Sequence, residues 1–428
     1  MTNLETYNFI REHAEDDVRQ LALRGAKAPE VDLAFALDQI SGRQKARVKL
    51  PSWAAIDGIT YPPHLSIEQC SSEMTARYKA DIVGNGQLMV DLTGGFGVDF
   101  AFMSTGFRRA VCVERQQQLC AISSENFATL GLLHAEVVCA DGIDYLHTLG
   151  HADLIFIDPA RRDDHGVRTY GIADCTPNVL ELMDELTRKA DRILIKLSPM
   201  LEWRKAVADI GRASQVHIVS VDNECKELLL FVNSTPKFNI REQSSPTRSL
   251  SLVAKGMQER GVVDSDRLRV VCVNLLSDGT AQRFEFESPS SDLIPHSSFS
   301  IPHFSNLNDS FLVEPNASVM KAGCFQLLEQ RFGISQLEAN SHLFVCDRDV
   351  PDFPGRRFII ERTTSMNKRE LKAALSGIDR ANIAVRNFPL KAEQLRQKLK
   401  LRDGGDTYIF ATTVRGGTHQ LFICRKIG

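Results

Sequence analysis

The sequence predicts an α/β protein built on one sheet of five parallel strands closed by an antiparallel hairpin pair. A helical N-terminal region precedes that sheet, and β-rich and α/β domains follow it. Three observations predict this. From residue 88, short apolar runs alternate with helical stretches: LMVDL (88–92), AVCVE (110–114), AEVVCA (135–140), DLIFID (153–158) and RILIKL (192–197). Buried strands separated by helices call for a parallel sheet with both faces covered. The last two runs, VHIVSV (216–221) and ELLLFV (227–232), lie too close together for a crossover helix and should pair antiparallel. Finally, the texture changes after about residue 236, which marks further domains.

Taken in order, residues 1–64 form the helical region, on the spacing of Ile10, Val18, Leu21 and Leu23. Pro51, Gly58, Pro62 and Pro63 punctuate a loop over 49–66. The run SSEMTARYKA (71–80) predicts a helix entered through Ser71 or Ser72. The sheet domain spans 65–235. STPKFNIREQSSPTRS, rich in Ser, Pro and charge, reads as a linker. Residues 247–350 read as a β-rich middle domain (LSLVA, RLRVVCVNLL, RFEFES, HLFVCD) with a helix near 317–332, and 353–428 as a compact basic α/β domain.

Composition bounds the function. With 43% hydrophobic and 25% charged residues the chain reads as a soluble globular protein. A net charge of −3 does not by itself predict a nucleic-acid binder. No apolar run approaches the roughly 20 residues of a membrane span. The N-terminus is polar and acidic, unlike a secretory or transit signal, so the expected location is cytoplasmic. Ten cysteines are scattered without a CxxC pair or Cys/His array; Cys112, Cys139 and Cys272 fall inside strand-like runs, so reduced core thiols and no metal are expected.

The chemistry starts at DLTGGFGVDF (91–100), a glycine-rich turn between a strand and a helix. Gly95 and Gly97 sit where the chain must turn sharply and let a ligand touch its backbone; Asp99 is placed to cap the following helix. Acidic residues then recur at the ends of successive strands, where open α/β sheets bind ligands: Asp91, Glu114, Asp141 and Asp158. Glu114 can accept two ribose hydroxyls, and Asp141 an adenine amino group. Either alone could equally be a strand-end cap; it is their joint spacing that points to an adenosyl ligand. A dinucleotide reading fits less well, because the third glycine of GxGxxG falls on Phe100.

DLTGGFG, VERQQQLCAISSENFATLGL, CADGIDYL and LIFIDPARR together resemble motifs I to IV of class I RNA methyltransferases, and SSEMTARYKA is similar to the helix those enzymes place before motif I. The resemblance implies a Rossmann-like methyltransferase sheet and S-adenosylmethionine as cofactor. It implies contacts from Gly95, Gly97, Glu114 and Asp141, with Asp91, Thr93 and Asp158 in the same set. Thr93 departs from the pattern, since many relatives carry glycine there. EPNASVMKAG (314–323), FPGRRF (353–358) and NFPLKAEQLRQKLKLRDGGDTYIFATT (387–413) resemble bacterial methyltransferases with a THUMP-like domain, a module associated with structured RNA.

Motif IV reads Asp158-Pro159-Ala160-Arg161, without the aromatic that exocyclic-amine methyltransferases place there to stack on a flipped base. Tyr170 is an alternative stacking residue, or a plain surface tyrosine. No cysteine stands where C5-pyrimidine methyltransferases carry one, and nothing near Cys175 would activate a thiolate. Lys79, Asp158, Lys196 and Glu227 resemble the Lys-Asp-Lys-Glu tetrad of ribose 2′-O-methyltransferases, in which a lysine eases deprotonation of the hydroxyl; the bland alternative is a structural ion pair at Lys196 and a solvated Lys79. Arg161 and Arg162 either grip a substrate phosphate or pair with Asp163 and Asp164. Residues 353–428 carry 16 lysines and arginines against 6 acids. Lys391, Arg396, Lys398, Lys400 and Arg402 concentrate that charge on one helix and turn, as backbone-phosphate binding requires. The expected function is methylation of tRNA or rRNA. The alternatives are a non-catalytic RNA-binding or assembly factor on the same scaffold, and a protein or small-molecule methyltransferase.

Overall fold

The computed structural model describes residues 3–25, 28–161, 171–234, 267–289, 307 and 310–427. The linker beyond Ser234 (residues 235–249), the run LSLVA, and Arg162, Asp163, Asp164 and Tyr170 lie outside the described residues. The chain divides into two compact units, one formed chiefly by residues 1–216 with 227–269, the other chiefly by 291–428 with 217–226 and 270–286.

In the first unit the alternating pattern becomes β1 (Gly86–Asp91), β2 (Phe107–Glu114), β3 (Ala135–Cys139), β4 (Ala152–Ile157), a two-residue ribbon of β5 (Ala160–Arg161) and β6 (Cys175–Thr176), then β7 (Ala190–Leu197), β8 (Ala213–Val221) and β9 (Glu224–Asn233). The order across the sheet is β3-β2-β1-β4-β7-β9-β8, and it continues past β8 with β10 (Arg267–Leu275) and β11 (Ala281–Pro289) to nine strands. Strands β3, β2, β1, β4 and β7 run parallel, and β9 pairs antiparallel to β7 with Lys196 opposite Leu229. The five parallel strands and the antiparallel pair are as expected, but β10 and β11, read from sequence as part of a β-rich middle domain, extend this same sheet. Its centre is dry: Val90, Ile155, Leu194 and Leu230 are fully buried.

The helices α1 (Leu4–Glu12), α2 (Val18–Arg24), α3 (Leu33–Lys49), α4 (Pro51–Ala54), α5 (His64–Gln69) and α6 (Glu73–Val83) precede β1. Two expectations are corrected here. The loop over 49–66 holds the short helix α4 and the start of α5, and α4 forms because Pro51 at N1 starts a helix where an N–H would have no partner anyway. The apolar residues read as helical spacing divide between α1 (Ile10) and α2 (Val18, Leu21, Leu23), and of these Leu21 is buried but Leu23 stands 88% exposed. Ser72 caps α6, accepting from Thr75 N. Trp53 of α4 is buried edge-on against Phe96 at 5.3 Å, so the N-terminal helices pack on the glycine turn. Between the strands run α7 (Val98–Ser104), α8 (Gln117–Thr129), α9 (Gly142–Thr148), α10 (Val179–Lys189) and α11 (Trp203–Ile210).

The second unit holds the hairpin β10 (Arg267–Leu275) and β11 (Ala281–Pro289), then β12 (Phe311–Pro315), α12 (Ala317–Ala322), α13 (Phe325–Phe332), β13 (Ser335–Gln336), β14 (Phe344–Cys346), β15 (Gly355–Ser365), α14 (Lys368–Ala374), β16 (Asn382–Arg386), α15 (Ala392–Leu399), β17 (Thr407–Val414) and β18 (Thr418–Ile427). The helix expected near 317–332 is two helices, the first ended by Gly323 in the left-handed conformation. The seven-stranded sheet runs β13-β14-β12-β15-β18-β17-β16. One face packs Leu312, Phe358, Phe410 and Phe422 together, and the other packs Ile409, Leu421 and Ile423 with Leu395 of α15. Glu314, buried on β12, accepts from Arg356 of β15 (Nε, 2.8 Å) and from Arg386 of β16 (Nη2, 2.7 Å), tying strands far apart in the order. All ten cysteines are free, and among the described residues no group of His, Cys, Asp and Glu could hold a metal. Cys139 departs from its expected burial and is exposed at the end of β3. No helix among the described residues is long and apolar enough to cross a membrane.

Candidate active site

The turn after β1 fits an adenosyl ligand. Gly95 and Gly97 have φ of 55° and 77°, in the region where a Cβ is strained. A Cβ on Gly95 would meet nothing nearer than Thr93 O at 3.8 Å, so this backbone is open to a ligand; one on Gly97 would sit 2.6 Å from the Phe127 ring. Glu114, buried at the end of β2, accepts from Gly95 N and Gln116 N, both at 2.8 Å. It therefore shapes the turn. Asp141 caps α9 through Ile143 N at 2.8 Å, so the capping alternative holds for one of its oxygens.

Asp91 and Thr93 brace the turn from below. Asp91 Oδ1 accepts from Thr93 N (2.8 Å), and Thr93 Oγ1 accepts from Asp158 N (2.7 Å). The residue that departs from the motif pattern thus fastens the end of β1 to the end of β4, which a glycine could not do. Burial pushes the Asp91 carboxyl up to about 8.

Beneath this turn lies a ladder of alternating charge. Lys79 of α6, fully buried, reaches both oxygens of Glu227 on β9 at 2.7 and 2.6 Å. It also reaches Asp99 Oδ1 at 3.1 Å. Asp99 Oδ2 faces Lys196 of β7 at 3.2 Å and accepts from Ser71 Oγ at 2.7 Å. Lys196 in turn lies 2.5 Å from Asp158, whose side chain is 39% exposed. The ladder therefore runs Glu227–Lys79–Asp99–Lys196–Asp158, from the interior to the open C-terminal edge of the sheet. Pro159 is buried directly after Asp158, where the chain turns into β5.

The four residues read as a tetrad are thus brought together, and Lys79 is buried and paired, not solvated. The sequence reading missed the rung between the lysines. Asp99 does not cap α7: that position belongs to Gly97, and Asp99 turns inward. Burial would raise its carboxyl, but Lys196 and Lys79 outweigh burial and hold it down to about 2. Burial works against the Lys196 ammonium, but Asp158 and Asp99 outweigh it and lift its pKa well above the usual lysine value. Burial pushes the Glu227 carboxyl upward against the pull of Lys79.

The expected substrate-binding residues separate. Arg161 belongs to β5 and follows the site directly in sequence. In the second unit, Arg396 pairs with Asp403 (2.5 Å) and Glu393 (3.4 Å), and Arg402 pairs with Asp379. Lys391, Lys398 and Lys400 are exposed and carry no ion pair among the described residues.

A family model described as THUMP domain-like matches residues 355–426, and one described as a ferredoxin-like domain matches 311–354. No curated protein matches the chain in sequence. Among solved structures, a candidate methyltransferase from Porphyromonas gingivalis W83 is 28% identical, with 100% of both chains covered and a TM-score of 0.80. An rRNA methylase from Streptococcus thermophilus is 16% identical over 37% of this chain and 94% of its own, with a TM-score of 0.28. TrmK from M. capricolum, solved with S-adenosylhomocysteine, is 12% identical over 40% of this chain and 71% of its own, with a TM-score of 0.30. The chain has a class I methyltransferase fold with a C-terminal THUMP-like domain.

Proposed function

We propose that this protein is an S-adenosylmethionine-dependent methyltransferase acting on structured RNA, tRNA or rRNA. The observation that carries the reading is the buried ladder ending at Asp158. Burying two lysines with the carboxylates of Asp99 and Glu227 costs desolvation energy that apolar residues would not, so a scaffold has no use for it. Perturbed ionisable groups at the ligand-binding edge of a sheet mark chemistry.

In this reading the turn at Gly95 and Gly97, with Glu114 and one oxygen of Asp141, holds the adenosyl moiety. The bound cofactor supplies an electrophilic methyl on a sulfonium. Asp91 and Thr93 hold the turn in place, and Asp158 with Pro159 faces the acceptor. Lys79, Glu227 and Asp99 fix Lys196, and Lys196 fixes Asp158; the chain's contribution is positioning and electrostatics. Arg161 and Arg162 follow the site in sequence and are assigned to substrate phosphate. The THUMP-like domain delivers RNA, with Lys391, Lys398 and Lys400 free to meet its backbone. Arg396 and Arg402 are assigned a secondary role, since acids already neutralise them.

Titration calorimetry with adenosylmethionine is expected to show one saturable site that Gly95→Ala weakens. Gel retardation with tRNA and rRNA fragments is expected to show binding that salt weakens. No cofactor binding would overturn the enzyme reading, and cofactor binding without RNA binding would move the acceptor to protein or a small molecule.

A further inference from the structure

The two chemistries left open by the motifs, base methylation and ribose methylation, ask different things of Lys196. A sugar hydroxyl is a weak nucleophile until its proton leaves, and in a Lys-Asp-Lys-Glu site a neutral lysine eases that departure. A nucleobase nitrogen attacks through a lone pair it already has, and positive charge develops on the base only as the new bond forms. The first needs a lysine able to lose its proton. The second needs a negative group beside the acceptor.

Lys196 is placed for the second. Its Nζ sits between two carboxylates, Asp158 Oδ2 at 2.5 Å and Asp99 Oδ2 at 3.2 Å. The other charged groups of the cluster reinforce this. Glu227 lies behind Lys79, and Lys79 itself shares Asp99, so the five groups hold three acids against two ammonium ions. Asp99, the rung absent from the motif reading, makes the difference: without it Lys196 would face one carboxylate and the Lys79 charge. The pKa of Lys196 is displaced in the same direction. At the exposed end stands Asp158, the one acid of the ladder with a substantial open surface.

Resting on the methyltransferase reading above, we infer that Lys196 stays a cation throughout turnover and that the acceptor is a nucleobase nitrogen, not a ribose hydroxyl. The nitrogen lone pair forms the N–C bond as the C–S bond breaks, and the electron pair of that bond goes to sulfur, which leaves as a neutral thioether. The positive charge passes to the base beside Asp158. Where the nitrogen bears a hydrogen, that proton goes to the Asp158 carboxylate. Lys196 is a positioning residue: it takes no proton and orients Asp158.

The test has two parts, both with full-length protein, labelled adenosylmethionine and RNA from cells lacking this protein. Nucleoside analysis after complete digestion is expected to place the label in a base, on nitrogen. Label on the ribose, or on a base carbon, overturns the inference while leaving RNA methylation intact. Label in no RNA overturns the RNA reading and the inference with it. The second part is Lys196→Arg, since arginine pairs with carboxylates but cannot act as a base. Turnover within about tenfold of wild type, with an unshifted pH profile, is expected; Lys196→Met should lose at least a hundredfold more. Loss of turnover in Lys196→Arg with cofactor affinity unchanged would make Lys196 a base and overturn the assignment. Should the arginine variant fail to fold, the position of the label still decides.

Discussion

Replacing Asp99 by asparagine takes the middle rung from the ladder. The change is nearly isosteric, and an oxygen remains for the Ser71 hydroxyl at 2.7 Å. What disappears is the charge that Lys79 meets at 3.1 Å and Lys196 at 3.2 Å. Removing one partner from a buried ion pair costs about 3–5 kcal/mol. Each lysine keeps another acid, so the lower end applies, about 3 kcal/mol. Part of this depends on pH. The folded pKa of Asp99 is about 2 against an ordinary 3.8, and that depression corresponds to about 2 kcal/mol. The sign is that of a depressed acid: the contribution is full above about pH 4 and is lost as pH falls toward 2. The two tryptophans, Trp53 and Trp203, are both buried in the first unit, so their fluorescence follows that unit's unfolding in urea. Wild type should exceed Asp99→Asn by about 3 kcal/mol at pH 7, with the gap narrowing between pH 4 and pH 2. A gap below about 1 kcal/mol at pH 7, or one that does not narrow in acid, would refute the ladder as described.

Four further outcomes follow from the same geometry. Asp91 behaves oppositely to Asp99: its folded pKa of about 8 lies above the ordinary 3.8, so wild type should lose stability relative to Asp91→Asn as pH rises from about 4 to about 8, and a flat difference in urea midpoints would contradict its burial as an acid. Gly95→Ala has room for its methyl and should cost only the left-handed backbone strain, about 1–2 kcal/mol, while cofactor affinity in calorimetry falls at least tenfold. Gly97→Ala should lower the melting temperature further, because its methyl also overlaps Phe127. Alanine at Lys391, Lys398 and Lys400 together should reduce the slope of log affinity for RNA against log salt by about 2–3, whereas alanine at the already paired Arg402 should change it little.

The main sheet was legible because its strands are buried on both faces and read as unbroken apolar runs; Ile155 and Leu194 have no exposed surface to require a polar neighbour. The ends of β4 and β7 were legible too, which is how Asp158 and Lys196 could be named from sequence; Glu227, read as the start of the last strand, lies inside β9, which begins at Glu224. Asp99 was misread for a local reason. An acid two residues after a glycine at a helix start has a cap as its default role, and only packing from α6 and β7 supplies the lysines that turn it inward. Ser71 was hidden likewise, taken as an alternative cap while it bonds Asp99, 28 residues away. Pro51 signals a turn and a helix start equally well, and Leu50 packing into the core decides for the helix. In the second unit, the basic residues near 396–402 could be counted from sequence, but their neutralisation by Asp379 and Asp403 depends on how α15 and the turn after it fold. The tie from Glu314 to Arg386, 72 residues apart, leaves no periodic trace at all.

The most direct test of the central claim is transfer of labelled methyl from adenosylmethionine to RNA taken from cells that lack this protein, with an Asp158→Asn control. The account predicts label in a tRNA or rRNA fraction with wild type and little or none with the control. Cofactor binding confirmed by calorimetry, together with no label in any RNA, would contradict it.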